Sequence, residues 1–193
     1  MTRRIAIIQG HPDTATDHFC HALAEAYASG ARGAGHEVKM IQVARLRFPW
    51  LQTQTEFESG TPPAAIAEAQ ESIGWAEHIV VVYPLWLGTM PAILKAFFEQ
   101  CFRPRFAIDV SGRGWSGLLK GRSARIVVTM GMPAFFYRWY FGAHGLKSLE
   151  RSILGFAGIG PIKVTLVGRI GSLNDTKRRV WLQRLQTLGA TGK

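Results

Sequence analysis

Three short stretches of the chain gather the side chains able to do chemistry. The first, Gly10-His11-Pro12-Asp13-Thr14-Ala15-Thr16-Asp17-His18-Phe19, follows an apolar run from Ile5 to Ile8. A loop leading from a strand into a helix offers an anion free N–H groups and the positive end of the helix dipole. Thr14 and Thr16 hydroxyls and His11 and His18 ring N–H groups add donors, so the chemistry this loop suits is phosphate binding. Neither GxxxxGK(S/T) nor GxGxxG occurs here, and a polar turn capped by Asp17 is the alternative.

The second stretch is Tyr83-Pro84-Leu85-Trp86-Leu87-Gly88-Thr89-Met90-Pro91-Ala92. Pro84 ends a strand, and Gly88 lets backbone approach a ligand closely. Trp86, Leu87 and Met90 are apolar where the chain should face solvent, which suits a flat aromatic ligand. Packing beneath the next helix is the alternative. The third stretch is Thr129-Met130-Gly131-Met132-Pro133, followed by Phe135, Phe136, Tyr137, Trp139, Tyr140, Phe141, Gly142 and His144. So many aromatic rings suit a wall for planar ligands, a subunit interface or an ordinary core helix.

The elements that must position these stretches follow from hydrophobic period. Ile5 to Ile8 and His78 to Tyr83 are apolar runs, the mark of strands buried on both faces, and Ala124 to Thr129 is a fourth strand. Glu37 to Val43 alternates with period two, and Ile162 to Val167 is a fifth strand. Helical patterns cover about 18–34, 62–76, 92–102, 146–156 and 175–188, the last with Val180, Trp181, Leu185 and Leu188 inward. Residues 45–61 and 103–122 read as long irregular segments. Strands alternating with helices imply a parallel sheet covered on both faces, and five strands favour the doubly wound order 2-1-3-4-5. Ligands of such sheets bind beyond the carboxyl ends of the strands, which is where all three stretches fall.

Composition narrows the function. The chain has 193 residues with 23 Lys and Arg against 13 Asp and Glu, a net charge of +10. These charges are scattered and no nucleic-acid motif accompanies them, so nucleic acid is not an expected partner. The longest apolar window, 79–98, is broken by Pro84, Pro91 and Lys95, so no transmembrane segment is expected, though peripheral membrane association is compatible with the charge. No targeting segment is evident, and the expected location is cytoplasmic. Cys20 and Cys101 fit no metal or redox spacing, and no metal site is expected. A GxSxG elbow, paired carboxylates at strand ends and a Ser-His-Asp arrangement are all missing, which argues against a hydrolase.

The segments IAIIQGHP, YPLWLGTMPAILKAFFEQCF and TMGMP with downstream FGAHG together resemble the flavodoxin-like NAD(P)H:quinone oxidoreductase family, which includes DT-diaphorase, the drug-activity modulators and the potassium-efflux ancillary proteins. The similarity runs through nearly the whole chain. It implies a flavodoxin-like three-layer α/β sandwich, with residues 1–193 as one flavin-binding domain. It implies FMN or FAD as cofactor, NADPH or NADH as electron donor, and ping-pong hydride transfer to a quinone-like acceptor. By that resemblance His11, Thr16, His18 and Phe19 hold the phosphate and ribityl chain. Pro84, Leu85, Trp86 and Leu87 line the isoalloxazine, and Thr129 and Gly131 close its other side. Tyr137 and His144 match the family's Tyr and His beside the flavin, with Tyr140 a rival for Tyr137 and the spacing one residue longer. The first loop departs from the family, with Asp17, His18 and Cys20 where Ser and Asn are usual. The family's habit and the aromatic loops imply a homodimer. Some relatives serve ion-efflux systems as flavin- and nucleotide-binding regulatory subunits, which is the alternative function.

Overall fold

A computed structural model describes residues 2–15, 18–110 and 114–193. Strands β1 (Arg4–Gln9), β2 (Glu37–Gln42) and β3 (His78–Pro84) alternate with helices α1 (Phe19–Gly33), α2 (Gln54–Ser59), α3 (Ala64–Trp75) and α4 (Ala92–Cys101). Two-residue strands β4 (Ile108–Asp109) and β5 (Ser116–Gly117) pair as a separate antiparallel ribbon. Then follow β6 (Ser123–Thr129), α5 (Ala134–Trp139), α6 (His144–Lys147), β7 (Ile162–Val167) and α7 (Asp175–Ala190). The main sheet is parallel throughout, in the order β2-β1-β3-β6-β7. With the ribbon set aside, this is the expected 2-1-3-4-5 winding.

Each central strand is apolar on both faces because both faces are covered. Ile5, Ile7, Val80, Val82 and Val127 pack under α1 and α7 with Leu23, Tyr27 and Leu185. Ala6, Ile8, Ile79, Val81, Ile126 and Val128 point the other way, into the core built with α3, α4 and the segments after β6. Side chains alternate along a strand, so neighbouring residues feed different cores. Helices α1 and α7 touch backbone to backbone. A Cβ at Gly30 would lie 1.9 Å from the Gln186 carbonyl oxygen, and one at Gly189 would lie 2.1 Å from that of Tyr27.

Three local expectations are corrected. Val180 is 58% exposed, and Leu182 packs inward with Trp181, Leu185 and Leu188. At 100° per residue Val180 falls off the stripe that the other residues share. The helix expected from 146 starts earlier, at His144, and passes into a π-helical segment, Ser148–Gly155. The irregular segment 45–61 contains α2, capped by Thr53, which accepts the Glu56 N–H at 3.1 Å while Glu56 accepts the Gln52 N–H at 2.9 Å. Arg103 holds this excursion to the end of α4 by donating to the carbonyls of Glu56 and Gly60.

Polar groups at the amino ends of the strands pair inside the α1–α7 layer. Arg125 donates to Thr165 Oγ1 at 2.9 Å and to the Lys193 carbonyl at 2.7 Å. His78 is buried, with Nδ1 2.8 Å from Ser123 Oγ and Nε2 unpartnered among the described residues. Among the described residues no helix is long and apolar enough to cross a membrane.

Candidate functional site

The carboxyl rim of the sheet is built from the end of β3 outward. Pro84 lacks an N–H, so β3 stops there. The chain stays tied to β6 because the Leu85 N–H donates to the Thr129 carbonyl at 2.7 Å. Trp86 and Thr89 then exchange both backbone hydrogen bonds, at 2.9 and 3.0 Å, which closes a two-residue hairpin. Its tip, Leu87 and Gly88, lies in the left-handed region, with φ of 45° and 80°. Glycine takes this conformation freely, whereas in leucine it is strained. The hairpin holds Trp86 half exposed and Leu87 fully exposed as an apolar lip.

The segment after β6 grips this hairpin. Tyr137, buried on α5, donates its hydroxyl to the Gly88 carbonyl at 3.3 Å and accepts the Leu146 N–H at 3.2 Å. At Gly145 a Cβ would lie 2.4 Å from the Gly88 carbonyl oxygen and 2.6 Å from Thr89 Cα, so only glycine permits this backbone contact. Burial raises the Tyr137 phenol above its usual pKa, and that of Tyr83 still more. Tyr83 Oη is buried without a partner among the described residues.

The loop after β1 is dominated by imidazoles. His11 and His18 stack with ring centres 4.1 Å apart, and His21 lies 5.1 Å from His11. Asp13 organises them. Its carboxylate is 2.8 Å from His18 Nε2 and accepts the Ala15 N–H, while its carbonyl lies 2.9 Å from His21 Nε2. The Ala15 N–H and the His18 ring together hold the Asp13 carboxyl below its usual pKa. Burial, then the neighbouring His18, lowers the pKa of His11 below its usual value. Among the described residues no group of three His, Cys, Asp or Glu is placed to hold a metal ion.

The structure brings most of the sequence-derived site residues to this rim. The His11 ring stands edge-on to Trp86 at 6.4 Å, which joins the first loop to the second. Pro84 and Thr129 are partners in the β3–β6 register. Leu85 is half buried against the core, and Met90 is fully inside it. Gly131 is exposed, and a Cβ there would meet nothing within 4 Å. Thr129 Oγ1, against the Cys20 thiol, has no nitrogen or oxygen partner among the described residues. Thr16 and the proposed cap Asp17 lie outside the described residues. Phe19 faces the α1–α7 layer with the Arg178 guanidinium 5.1 Å from its ring centre. His144 is exposed at the start of α6, its Nε2 close over Gly142. Tyr140 is exposed and stacks on Phe136 at 4.8 Å, nearly parallel. Burial pushes the Cys20 thiol up to about 12, which keeps it protonated.

Two residues of the rim escaped sequence reasoning. His21 belongs to the imidazole cluster although it lies one turn inside α1; its spacing of three from His18 was the available signal. Gln9, the last residue of β1, is 3% exposed with an unpartnered Nε2, a burial that no sequence pattern reveals.

A family described as "flavodoxin-like fold" matches residues 3–188. Over 147 residues the chain is 29% identical to human ribosyldihydronicotinamide dehydrogenase [quinone], a match covering 72% of this chain and 63% of that protein's length. It is 26% identical over 184 residues to an uncharacterized NAD(P)H oxidoreductase of Haemophilus influenzae, covering 92% and 89%. Among solved structures, an NAD(P)H:quinone oxidoreductase from Methanothermobacter marburgensis superposes with a TM-score of 0.81 at 23% identity, covering 99% of this chain and 97% of that one. An FMN-dependent NADH-azoreductase from Bacillus anthracis in complex with FMN superposes with a TM-score of 0.78 at 16% identity, covering 98% and 99%.

Proposed function

The chain belongs to the flavodoxin-like fold family, and from that premise we propose that it is an FMN-dependent NAD(P)H oxidoreductase that reduces quinone-like acceptors. The observation that carries this reading is the hairpin at Leu87, where a strained turn clamped by Tyr137 holds an apolar lip in solvent beside the His11 ring. An exposed tryptophan and leucine kept at a rigid rim suit the face of a flat ring system. The names of the relatives agree with it, among them an FMN-dependent NADH:quinone oxidoreductase of Haemophilus influenzae.

The residues present fit a flavin nucleotide. Free N–H groups at the start of α1 and the His11 and His18 rings suit its phosphate, with Thr16 an additional candidate. The Asp13 carboxylate is engaged within the loop by the Ala15 N–H and the His18 ring. Phe19, at the first position of α1, would contribute through its backbone N–H, since its ring packs into the α1–α7 layer beside Arg178. Pro84, Leu85, Trp86 and Leu87 would line one side of the ring. The open backbone at Gly131 would line the other, whereas Thr129, expected there, is wholly buried against Cys20 and would support the slot from beneath. When bound, the flavin supplies a two-electron carrier between a reduced nicotinamide and a quinone.

The chain's own part is to orient, to exclude water and to place protons. Tyr137 and Gly145 fix the Gly88 backbone, so the hairpin N–H and C=O groups keep their direction. Trp86 and Leu87 desolvate whichever planar molecule enters. Donor and acceptor take the same slot in turn, a ping-pong order. His144 Nε2, exposed at the rim, is the group we assign to giving a proton to the reduced acceptor. Exposed Phe135, Trp139, Tyr140 and Phe141 form an aromatic face suited to a second copy of the chain, which would complete the slot as a homodimer.

The test begins with the visible spectrum of the purified protein and identification of whatever denaturation releases; FMN is expected. Added FMN should raise the melting temperature, since a ligand at about 100 times its Kd stabilises the native state by roughly 2.7 kcal/mol. Trp86→Asp should release FMN while the fold survives. No flavin at purification and no shift with FMN or FAD would end the proposal. Steady-state NADPH oxidation with a quinone, measured on the chain alone, separates the enzyme from a regulatory subunit of an ion-efflux system.

A further inference from the structure

The hairpin extends β3, whereas a second concavity lies across β1 from it, at the ends of β1 and β2. It is a cleft of about 170 Å³ lined by Gln9, Thr14, His21, Glu25, Gln42 and Arg45. Pockets for drug-sized ligands run to roughly 300–1,000 Å³, so this cleft suits a fragment of a larger molecule. No Phe, Tyr or Trp lines it, which argues against a base or a flavin ring.

Its floor is a donor waiting for an acceptor. Gln9 is 3% exposed, and its Nε2 has no partner among the described residues. Native folds rarely keep a buried amide unpaired unless a ligand or water completes it. Gln42 stands beside Gln9 as its register partner on β2. Arg45 closes the turn Val43–Arg45 that follows β2 and brings a guanidinium to the rim. Thr14 adds a hydroxyl. Glu25, one turn beyond His21 on α1, adds a carboxylate, and the Gln42 amide adds a further acceptor.

This set distinguishes ligands. A guanidinium, a hydroxyl and an amide N–H together suit phosphate oxygens. The Glu25 carboxylate disfavours a bare phosphate and accepts from hydroxyl groups. A fragment with a phosphate at one end and hydroxyls at the other satisfies both halves. We propose that this cleft binds a phosphorylated ribose. Resting on the oxidoreductase reading, the source is either the 2′-phosphoribosyl end of NADPH or a 5′-adenylate.

The test is calorimetric titration of the flavin-loaded protein with adenosine 2′,5′-bisphosphate, 5′-AMP and inorganic phosphate. At least one nucleotide should bind about tenfold more tightly than phosphate. Arg45→Ala and Gln9→Leu should each weaken that nucleotide about tenfold, with flavin content retained. Preference for the bisphosphate, with Arg45→Ala raising KM for NADPH and not for NADH, identifies NADPH as the source. Preference for 5′-AMP identifies the adenylate. If Gln9→Leu does not fold, Arg45→Ala and Glu25→Gln decide. Phosphate binding as tightly as either nucleotide, or variants that bind like the native chain, would overturn the proposal. A native protein that oxidises neither NADPH nor NADH but still shows the titration would sink the oxidoreductase reading alone.

Discussion

The Tyr137 hydroxyl donates to the carbonyl oxygen of Gly88 across 49 positions of sequence, and the Leu146 N–H returns a hydrogen bond to the same oxygen of Tyr137. One phenol thus ties α5, α6 and the hairpin after β3 into a single unit. Tyr137→Phe leaves two backbone groups short of a partner. The expected loss is about 1–3 kcal/mol, read as a fall in melting temperature of several degrees for a chain this size. FMN affinity should fall severalfold as the hairpin loosens. Tyr140→Phe, changed at an exposed ring, should leave the melting temperature in place. Equal behaviour of the two variants would remove the clamp from the account.

Gly145 and Gly131 separate support from contact. Alanine at 145 drives a Cβ to within 2.4 Å of the Gly88 carbonyl oxygen, so the hairpin must move. Overpacking of this kind costs about 1–3 kcal/mol. Alanine at 131 meets no atom within 4 Å. Gly131→Ala should therefore melt like the parent without flavin, yet bind FMN more weakly because the new methyl occupies ring space. Calorimetry with and without FMN reads both effects, and unaltered FMN binding by Gly131→Ala would place Gly131 outside the slot.

These relationships mark where sequence reading stops. The central strands were legible because two covered faces leave them buried almost throughout, β2 was legible from its period-two alternation, and Ile162–Val167 emerged with both ends as expected. The site loops were legible because the winding order places them at one rim. Helix α2 carried a readable signal, Thr53 three residues before Glu56, the spacing of a capping box, masked by the prolines and aromatics around it; in the fold Glu56 accepts from Gln52, one residue before the cap. The turn at Leu87-Gly88 carried none, since leucine contradicts the usual Asn-Gly preference of such turns. The burial of Gln9 arises only when β2 and α1 close over the end of β1, a tertiary event without a local pattern.

His78 should set an acid limb of stability. Burial is the main cause that lowers its pKa to about 4, with Arg3, Arg125 and Lys163 adding to it. The unfolded chain takes up this proton near pH 6.5, whereas the folded chain resists until about pH 4. The contribution is therefore fully present above pH 6.5 and is lost as pH falls toward 4, by up to about 1.4 kcal/mol per unit. His78→Asn removes the titrating group. Urea midpoints across this range should drop less steeply in the variant than in the parent, and parallel curves would assign the acid limb elsewhere.

The aromatic face after β6 predicts self-association. Trp139 is 82% exposed and Phe135 63% exposed on one short helix, α5. Apolar area of this kind is worth roughly 25 cal/mol per Å² once covered. Phe135→Ser with Trp139→Ser should convert a dimer to a monomer in sedimentation velocity runs, with melting then independent of protein concentration. A parent chain that sediments as a monomer at micromolar concentration would show that this face serves another purpose.

Leu87 opposes stability to function most directly. Its left-handed backbone costs about 1 kcal/mol relative to a residue that tolerates the region, and its side chain is wholly exposed, so it recovers nothing by burial within the chain. Asparagine enters this region more readily. Leu87→Asn should therefore raise the stability of the flavin-free protein by about 0.5–1 kcal/mol, measured by urea denaturation. The same change replaces the apolar lip with an amide and should lower quinone kcat/KM severalfold. Strain retained at a rim is explained only if the side chain it presents is used there. A variant both more stable and equally fast would show that Leu87 touches neither cofactor nor acceptor.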